Sequence, residues 1–539
     1  MKTIAAHWPL AAALLLFVAL QWVLCSAAVH AADGHLVYPL DDTYIQMAIG
    51  KNVAAHGVWG VTRYEFSGAG SSLAWPLLLA SVNRSVGLDE RTPFTLNVVA
   101  AVTLLGLAYA VLRRYVASRM GQVAALALLV LAAPLAVLTL IGMEHTLQAV
   151  ATLALAAVGV RLCAASTDRE RRLFLGWTLL AAAATVAVRY DAASVLAMVI
   201  LVALVTGGWR CGAWMTLCGA APAAVYALVA RVHGWPMLPS SVLLKQRLGG
   251  IDMLTWRGLW NVAGGGAFGL LLEEPALFAL VFAALGQLAW GAADAGDQRA
   301  RERRLLLVVF IGAALLHVQF GLLGWLYRYE AYLIVLGIVA NAAGLGSVRF
   351  ASPGPWGWIR QRAAGAALAV LVVFPLLQRS LHATRDVPAY IRDLYRHEYQ
   401  VGQFFRRYPV DGALLASDVG MLGYFSDAPI VDVDGLATFE FNTMARRNIY
   451  DGDLVLRVAR QRRVQVSIAG NPFGAWTCVA EWRPTGDSDS DDKLFFYAVD
   501  AAPAARLERD LKAFAAEDSA HVIALTFAQQ MARPCPARP

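Results

Sequence analysis

Charge is what this sequence has least of. Among 539 residues only 15% are Asp, Glu, Lys or Arg, while 58% are hydrophobic and the mean hydropathy is +0.54. A water-soluble domain carries about 25% charged residues, so a soluble globular protein is excluded. Cysteine is also scarce: of six, Cys25, Cys163, Cys211 and Cys218 fall in or near apolar runs, and no CxxC spacing or His/Cys cluster points to zinc. The remaining two, Cys478 and Cys535, lie near the C-terminus, where a disulfide is permitted if that region is extracytoplasmic. The strand-like stretch 412–417 runs into DVGMLGYF at 418–425 and then a further strand, but this unit lacks GxGxxG, which argues against a dinucleotide site there. The run DSDSDD at 487–492 alternates acids like the start of a calcium loop but lacks its glycine and closing glutamate, so it reads as a solvated turn. The net charge of +7 gives no sign of a nucleic-acid partner, because the arginines sit in short segments between apolar runs.

What the sequence has in quantity is apolar runs long enough, at about 20 residues, to cross a hydrocarbon core of roughly 30 Å. They fall near 9–29, 92–112, 121–141, 145–163, 173–189, 191–207, 212–231, 274–291, 304–324, 328–345 and 363–380. The fold class is a polytopic α-helical membrane protein with about eleven spans. With a cytoplasmic N-terminus, Arg113, Arg114, Arg119, Arg169, Arg171, Arg172, Arg210, Arg299, Arg301, Arg303, Arg304, Arg349, Arg360 and Arg362 all fall on the cytoplasmic side, in keeping with the positive-inside rule. Ser26 to Ala32 also resembles a signal-peptide cleavage site, although the apolar region before it is long for one.

This topology gives a membrane domain over 1–380, with outer loops at 30–91 and 232–273, and an outer C-terminal domain over 381–539. In the latter, 412–417, 429–435, 463–470 and 493–499 read as strands and 388–407 and 503–516 as helices, giving an α/β or α+β domain.

Two adjacent acids, Asp41 and Asp42, stand just beyond the first span. Tyr44, Ile45, Ala48, Ile49 and Val53 follow at helical spacing and Gly57 ends the pattern, which predicts an amphipathic helix on the outer membrane surface. Asp is a favoured helix cap, but one suffices. A carboxylate at a helix N-terminus is also held ionised, as a general base requires. Further polar residues fall on the same face: Glu144, Arg189, Asp191, Lys245, Arg328 and Glu330. Arg189 with Asp191, and Arg328 with Glu330, are candidate local ion pairs. Five segments converging on one face describe instead a cavity holding acids and fixed cations, and charges at membrane depth mark sites by default.

Such a cavity suits glycosyl transfer from a lipid-linked donor. Arginine and lysine can hold a phosphate and stabilise the charge that develops as it leaves. A carboxylate can take the proton of an acceptor hydroxyl, an effect of roughly 100- to 10,000-fold.

The chain resembles the GT-C superfamily of integral-membrane glycosyltransferases that use polyprenyl-phosphate sugars, in particular the branch of bacterial arabinofuranosyltransferases and mannosyltransferases. The resemblance rests on Asp41-Asp42-Thr43-Tyr44-Ile45 after the first span, His56-Gly57-Val58-Trp59 with Gly70-Ser71-Ser72-Leu73-Ala74-Trp75-Pro76, Gly142-Met143-Glu144, Arg189-Tyr190-Asp191, and Pro239-Ser240-Ser241 with Lys245. In the tail it rests on Ser417-Asp418-Val419-Gly420 and Val431-Asp432-Val433-Asp434-Gly435-Leu436. Tyr190 stands where the family has proline, and Ser240 where it has asparagine. The resemblance implies an inverting transfer with a first-loop Asp as base: Asp41 with Asp42 orienting it or contacting acceptor, or the reverse. Arg189, Lys245 and Arg328 are the candidates for the donor phosphate. Tyr44, His56, Trp59, Glu144, Asp191 and Glu330 are candidates for substrate contact, against structural roles for each; Trp59 and Trp75 also suit interface anchoring.

The implied partners are a polyprenyl-phosphate sugar, a glycan, lipid or protein acceptor, and the bilayer of a bacterial inner membrane, with the C-terminal domain periplasmic. A divalent cation is compatible with the acids, and so is a cation-independent base. Two other classes share some of these features. A transporter or lipid flippase would need inverted halves and a charged route inward. A membrane-anchored binding protein would leave the outer-loop acids unexplained.

Overall fold

The computed structural model describes residues 7–206, 208–244, 273–290, 297–345, 355–447, 449, 451–469, 476–485, 493–516 and 523–531. Lys245, most of the second outer loop, Cys535 and the acidic run at 487–492 lie outside the described residues.

Among the described residues, seven helices are long and apolar enough to cross a membrane: Trp8–Ala31, Thr92–Tyr115, Arg119–Ile141, His145–Ala164, Asp168–Val188, Trp209–Val232 and Gln298–Phe320. Three shorter apolar helices, Tyr190–Val205, Pro275–Trp290 and Ala331–Leu345, accompany them. The run at 363–380 lies within Pro355–Leu394, a continuous 40-residue helix. Every apolar run thus forms a helix, and seven have the length and composition of a span. Pro134 interrupts the third at Ala132, since proline offers no N–H to the ladder. Helix Ala331–Leu345 is buried along nearly its whole length, so its uniform apolarity reflects burial among other helices.

The C-terminal part holds a mixed six-stranded sheet in the order β2-β1-β3-β5-β4-β6. β1 (Ala413–Ala416) pairs in parallel with β2 (Ile430–Asp432) and β3 (Val464–Ala469). β3 pairs antiparallel with β5 (Leu494–Ala498), β5 with β4 (Thr477–Pro484), and β4 with β6 (Ile523–Phe527). β1, β2, β3 and β5 fall where the sequence predicts strands; β4 and β6 are additional. β1 is wholly buried, as a strand covered on both faces must be.

Helix Pro355–Leu394 crosses residue 380 without a break and continues through a π turn, Tyr395–Tyr399, into Gln400–Arg407 beside the sheet. One apolar core runs from Tyr38, Tyr44 and Met47 through Tyr424 and Phe425 to Trp482 and Phe496, so membrane and outer parts share their interior.

The expected amphipathic surface helix is corrected. Helix Asp41–His56 forms, and Gly57 ends it in the left-handed conformation at φ +68°, but Thr43 to Gly50 and Asn52 are all buried. One side packs on helix Ala74–Val86 and the other on Gly420–Phe425 of the C-terminal domain, so the apolar residues of its first three turns meet protein and only the last turn, at Ala55 and His56, is exposed. Trp75 is likewise 1% exposed, inside the core rather than anchoring at an interface.

Candidate active site at the membrane–domain junction

Asp41 and Asp42 are neighbours on a helix, about 100° apart, and therefore face different surroundings. The Asp41 carboxylate turns to the outer domain. Its oxygens accept the backbone N–H groups of Gly420 (2.7 Å) and Met421 (2.8 Å), the first residues of helix Gly420–Phe425. The approach is close enough that a β-carbon on Gly420 would meet the Asp41 carbonyl oxygen at 2.2 Å. Burial in this junction, with the Asp418 charge beside it, pushes Asp41 up to about 7.

Asp42 faces a cavity of about 240 Å³ lined also by Ser71, Met143, Arg189, Asp191 and Arg328. Arg328, 1% exposed, donates from Nη2 to Asp42 Oδ2 at 2.7 Å. Its Nη1 reaches Met143 Sδ at 2.9 Å, and its Nε has no partner among the described residues. The local pair of Arg328 with Glu330 expected from sequence is thus corrected: Arg328 turns to Asp42, and Glu330 pairs with Arg379.

The second arginine is held from two sides. Arg189 Nη1 donates to Glu144 at 2.8 Å and its Nη2 to Asp191 at 3.0 Å, so the expected pair with Asp191 is present. Glu144 is fully buried and also accepts Ser71 Oγ (2.8 Å), which in turn accepts Gln46 Nε2 (2.8 Å). The second oxygen of Glu144 has no partner among the described residues. Asp191 accepts Gln148 Nε2 at 2.8 Å. This network fixes Arg189 at the cavity wall without rotational freedom. Ser241, from the loosely matching Pro-Ser-Ser motif, reaches the same wall and donates to the Gly70 carbonyl at 2.9 Å.

Asp42, Arg189, Asp191 and Arg328 therefore line one cavity, with Glu144 directly behind Arg189. Tyr44, His56, Trp59 and Glu330 stand apart from it. Tyr44 is wholly buried and packs on Tyr38, Tyr424 and Phe425 in the junction. His56 is exposed at the far end of its helix, about 20 Å from Asp42 at 1.5 Å per residue. Trp59 packs in the apolar clusters beneath the first loop. Glu330 belongs to a buried group with Arg379 and Glu274. In the tail, Asp432 accepts the N–H groups of Asp434 (2.9 Å) and Ala437 (2.6 Å), a turn-forming role.

Sequence reasoning passed over Arg379 and Glu274. Their signal was a charge at the end of each of two apolar runs. Among the described residues no group of three or more His, Cys, Asp or Glu is placed to hold a metal ion.

A family model described as a domain of unknown function (DUF8728) matches residues 389–497. No curated protein matches the chain in sequence. Among solved structures the chain is similar to ArnT from Cupriavidus metallidurans bound to undecaprenyl phosphate, at 14% identity and TM-score 0.52, over 91% of this chain and 98% of that one. The apo state of ArnT gives 14% identity and TM-score 0.53 over 93% and 99%. An Archaeoglobus fulgidus oligosaccharyltransferase tethered with an acceptor peptide gives 12% identity and TM-score 0.47 over 93% and 75%. The likeness to ArnT, near full length on both sides, defines the class: this is a multi-pass membrane protein of the GT-C fold carrying a sheet-containing C-terminal domain.

Proposed function

We propose that the protein is an integral-membrane glycosyltransferase that moves a sugar from a polyprenyl-phosphate-linked donor to an acceptor hydroxyl. The observation that carries this reading is a cavity lined by Asp42, at a helix N-terminus, by two buried arginines, Arg189 and Arg328, and by Asp191, which is paired with Arg189. The fold is shared with a protein solved bound to undecaprenyl phosphate, which supports a polyprenyl phosphate as the donor's carrier.

Asp42 is the base. The acceptor hydroxyl attacks the anomeric carbon and gives its proton to the Asp42 carboxylate, and the bond from that carbon to phosphate oxygen breaks with its electron pair on the phosphate. Arg328 and Arg189 stabilise that growing charge, and the sugar inverts. The pair Arg328–Asp42 has a direct consequence. A donor phosphate draws Arg328 toward itself and releases Asp42 to take a proton, so donor binds before acceptor. Lys245 remains a candidate third cation. Glu144 and Asp191 position Arg189, and Asp41 holds the outer domain.

The site is assigned to the outer face of a bacterial inner membrane, with the C-terminal domain periplasmic. Cys478 is disulfide-bonded, which fits an oxidising compartment. Cys535, its proposed partner, lies outside the described residues. The finer assignment, to arabinofuranosyl or mannosyl transfer, follows from the first-loop and tail motifs. Acceptor class is a glycan, lipid or protein.

The test is transfer by purified protein from a panel of radiolabelled polyprenyl-phosphate sugars. We expect turnover with one donor, lowered by about 100-fold or more in Asp42→Asn at unchanged thermal stability. Asp41→Asn should retain part of the activity and lose stability. No turnover with any donor, and full biological activity in Asp42→Asn, would return the protein to the transporter class.

A further inference from the structure

The segment between helices Gln298–Phe320 and Ala331–Leu345 has a backbone that sequence alone would not suggest. Gly324, Trp325, Leu326 and Tyr327 all have positive φ, at +75°, +48°, +58° and +59°. Three successive non-glycine residues in the left-handed region form a strained turn, which persists only where its surroundings impose it. The next residue is Arg328.

One buried arginine imposes it. Arg379, 4% exposed on helix Pro355–Leu394, donates from Nη2 to the Tyr327 carbonyl at 2.5 Å and stacks over the Tyr327 ring at 4.7 Å. Its Nη1 pairs with Glu274 at 2.6 Å and with Glu330, and its Nε donates to the Ala132 carbonyl at 3.1 Å. Glu330 closes the loop by accepting the Gly324 N–H at 2.8 Å. Both ends of the left-handed turn are thus tied to one guanidinium, the first through Glu330 and the last directly. None of these partners of Arg379 is among the residues that line the cavity.

We infer that Arg379 is a positioning residue: it winds the turn 324–327 so that Arg328 is presented to Asp42 and to the donor phosphate. This rests on the reading that Arg328 meets that phosphate. An arginine on a relaxed loop would sweep a wide arc, whereas a left-handed turn pinned at both ends gives the Cα of Arg328 one place and one direction. Arg379 also lies on the helix that runs into the outer domain, so the same residue ties the site to that domain's seat.

The experiment measures the Kd of undecaprenyl phosphate on purified full-length protein in nanodiscs. Arg328→Ala should weaken binding, and Arg379→Gln should weaken it by about tenfold or more, as loss of a positioning partner does. The double variant Arg328→Ala/Arg379→Gln should bind no worse than Arg328→Ala alone, because Arg379 acts only through Arg328. A general loss of structure would instead add to it. If Arg379→Gln does not fold, two variants at Trp325 decide. This side chain is 61% exposed, so replacing it leaves the core intact. Trp325→Gly accepts the left-handed backbone and Trp325→Val resists it, so Val should bind about tenfold more weakly than Gly. Unchanged affinity in a folded Arg379→Gln, additivity in the double variant, or equal affinity of the two Trp325 variants overturns the inference alone. A wild type with no affinity for the lipid phosphate overturns the donor reading, and the inference with it.

Discussion

Adjacent side chains on a helix have separate fates, and Asp41 and Asp42 show how far apart those fates can be. One accepts two amides of a segment nearly four hundred residues away, and the other faces a cavity across from an arginine. The sequence shows that two acids start a helix; it does not show what stands opposite each, because that is decided by elements remote in the chain. The same limit applies to Arg328 and Glu330. Proximity in sequence suggests a pair, yet a left-handed turn points them to different partners. Where the partners are local the reading succeeds, as for Arg189 and Asp191. Asp41 also carries a pH dependence. Its carboxyl is raised from 3.8 to about 7 by burial and by Asp418, with Asp42 adding to it. The folded state therefore holds a proton that the unfolded chain releases, and stability falls as pH rises from about 4 to about 7. Melting of the full-length protein should shift upward as pH is lowered through that window, and the shift should be smaller in Asp41→Asn.

Elements were more legible than residues. Apolar runs of about 20 residues have few alternatives to helix when water is absent, so the helices fall where hydropathy puts them. The helix after the first span was located correctly and its surroundings were not. A pattern of apolar residues with few charges fits both a membrane surface and a protein interface, and here the interface prevails. β4 escaped notice because TCVAEWRP mixes charge with apolar residues, and β6 because it is a short edge strand. The interface itself depends on Gly420. With only 2.2 Å between a β-carbon there and the Asp41 carbonyl, Gly420→Ala must push helix Gly420–Phe425 off its seat. We expect loss of about 1–3 kcal/mol in thermal unfolding, as for overpacking, and release of the C-terminal domain by limited proteolysis at a protease concentration that leaves wild type intact.

At the scale of the whole molecule, membrane body and outer domain share one apolar core and one continuous helix. A fragment beginning at residue 381 would expose Met421, Leu422, Tyr424 and Phe425, which lie buried here against the first loop. Expressed alone it should aggregate, or bind a dye for exposed apolar surface, while co-expression with residues 1–380 should restore a membrane-bound complex that is monodisperse in detergent. A monodisperse, cooperatively melting fragment would contradict this. Domain order was legible from the change in composition, but the fusion of the two interiors was not, since no local signal reports a contact between residue 44 and residue 424.

The bond from Asp41 to Gly420 spans 379 residues. On a ribosome adding about 5–20 residues per second, the first-loop helix waits roughly 20–75 s for its partner to be made. During that interval the helices encoded before residue 420 can insert, yet the Asp41 carboxylate has no amides to hold it. A message cut short anywhere before that codon leaves the helix that carries Asp41 and Asp42 without its seat on residues 420–425. Seating of the first-loop helix is thereby a late event in the life of the chain, possible only once most of its length has been made.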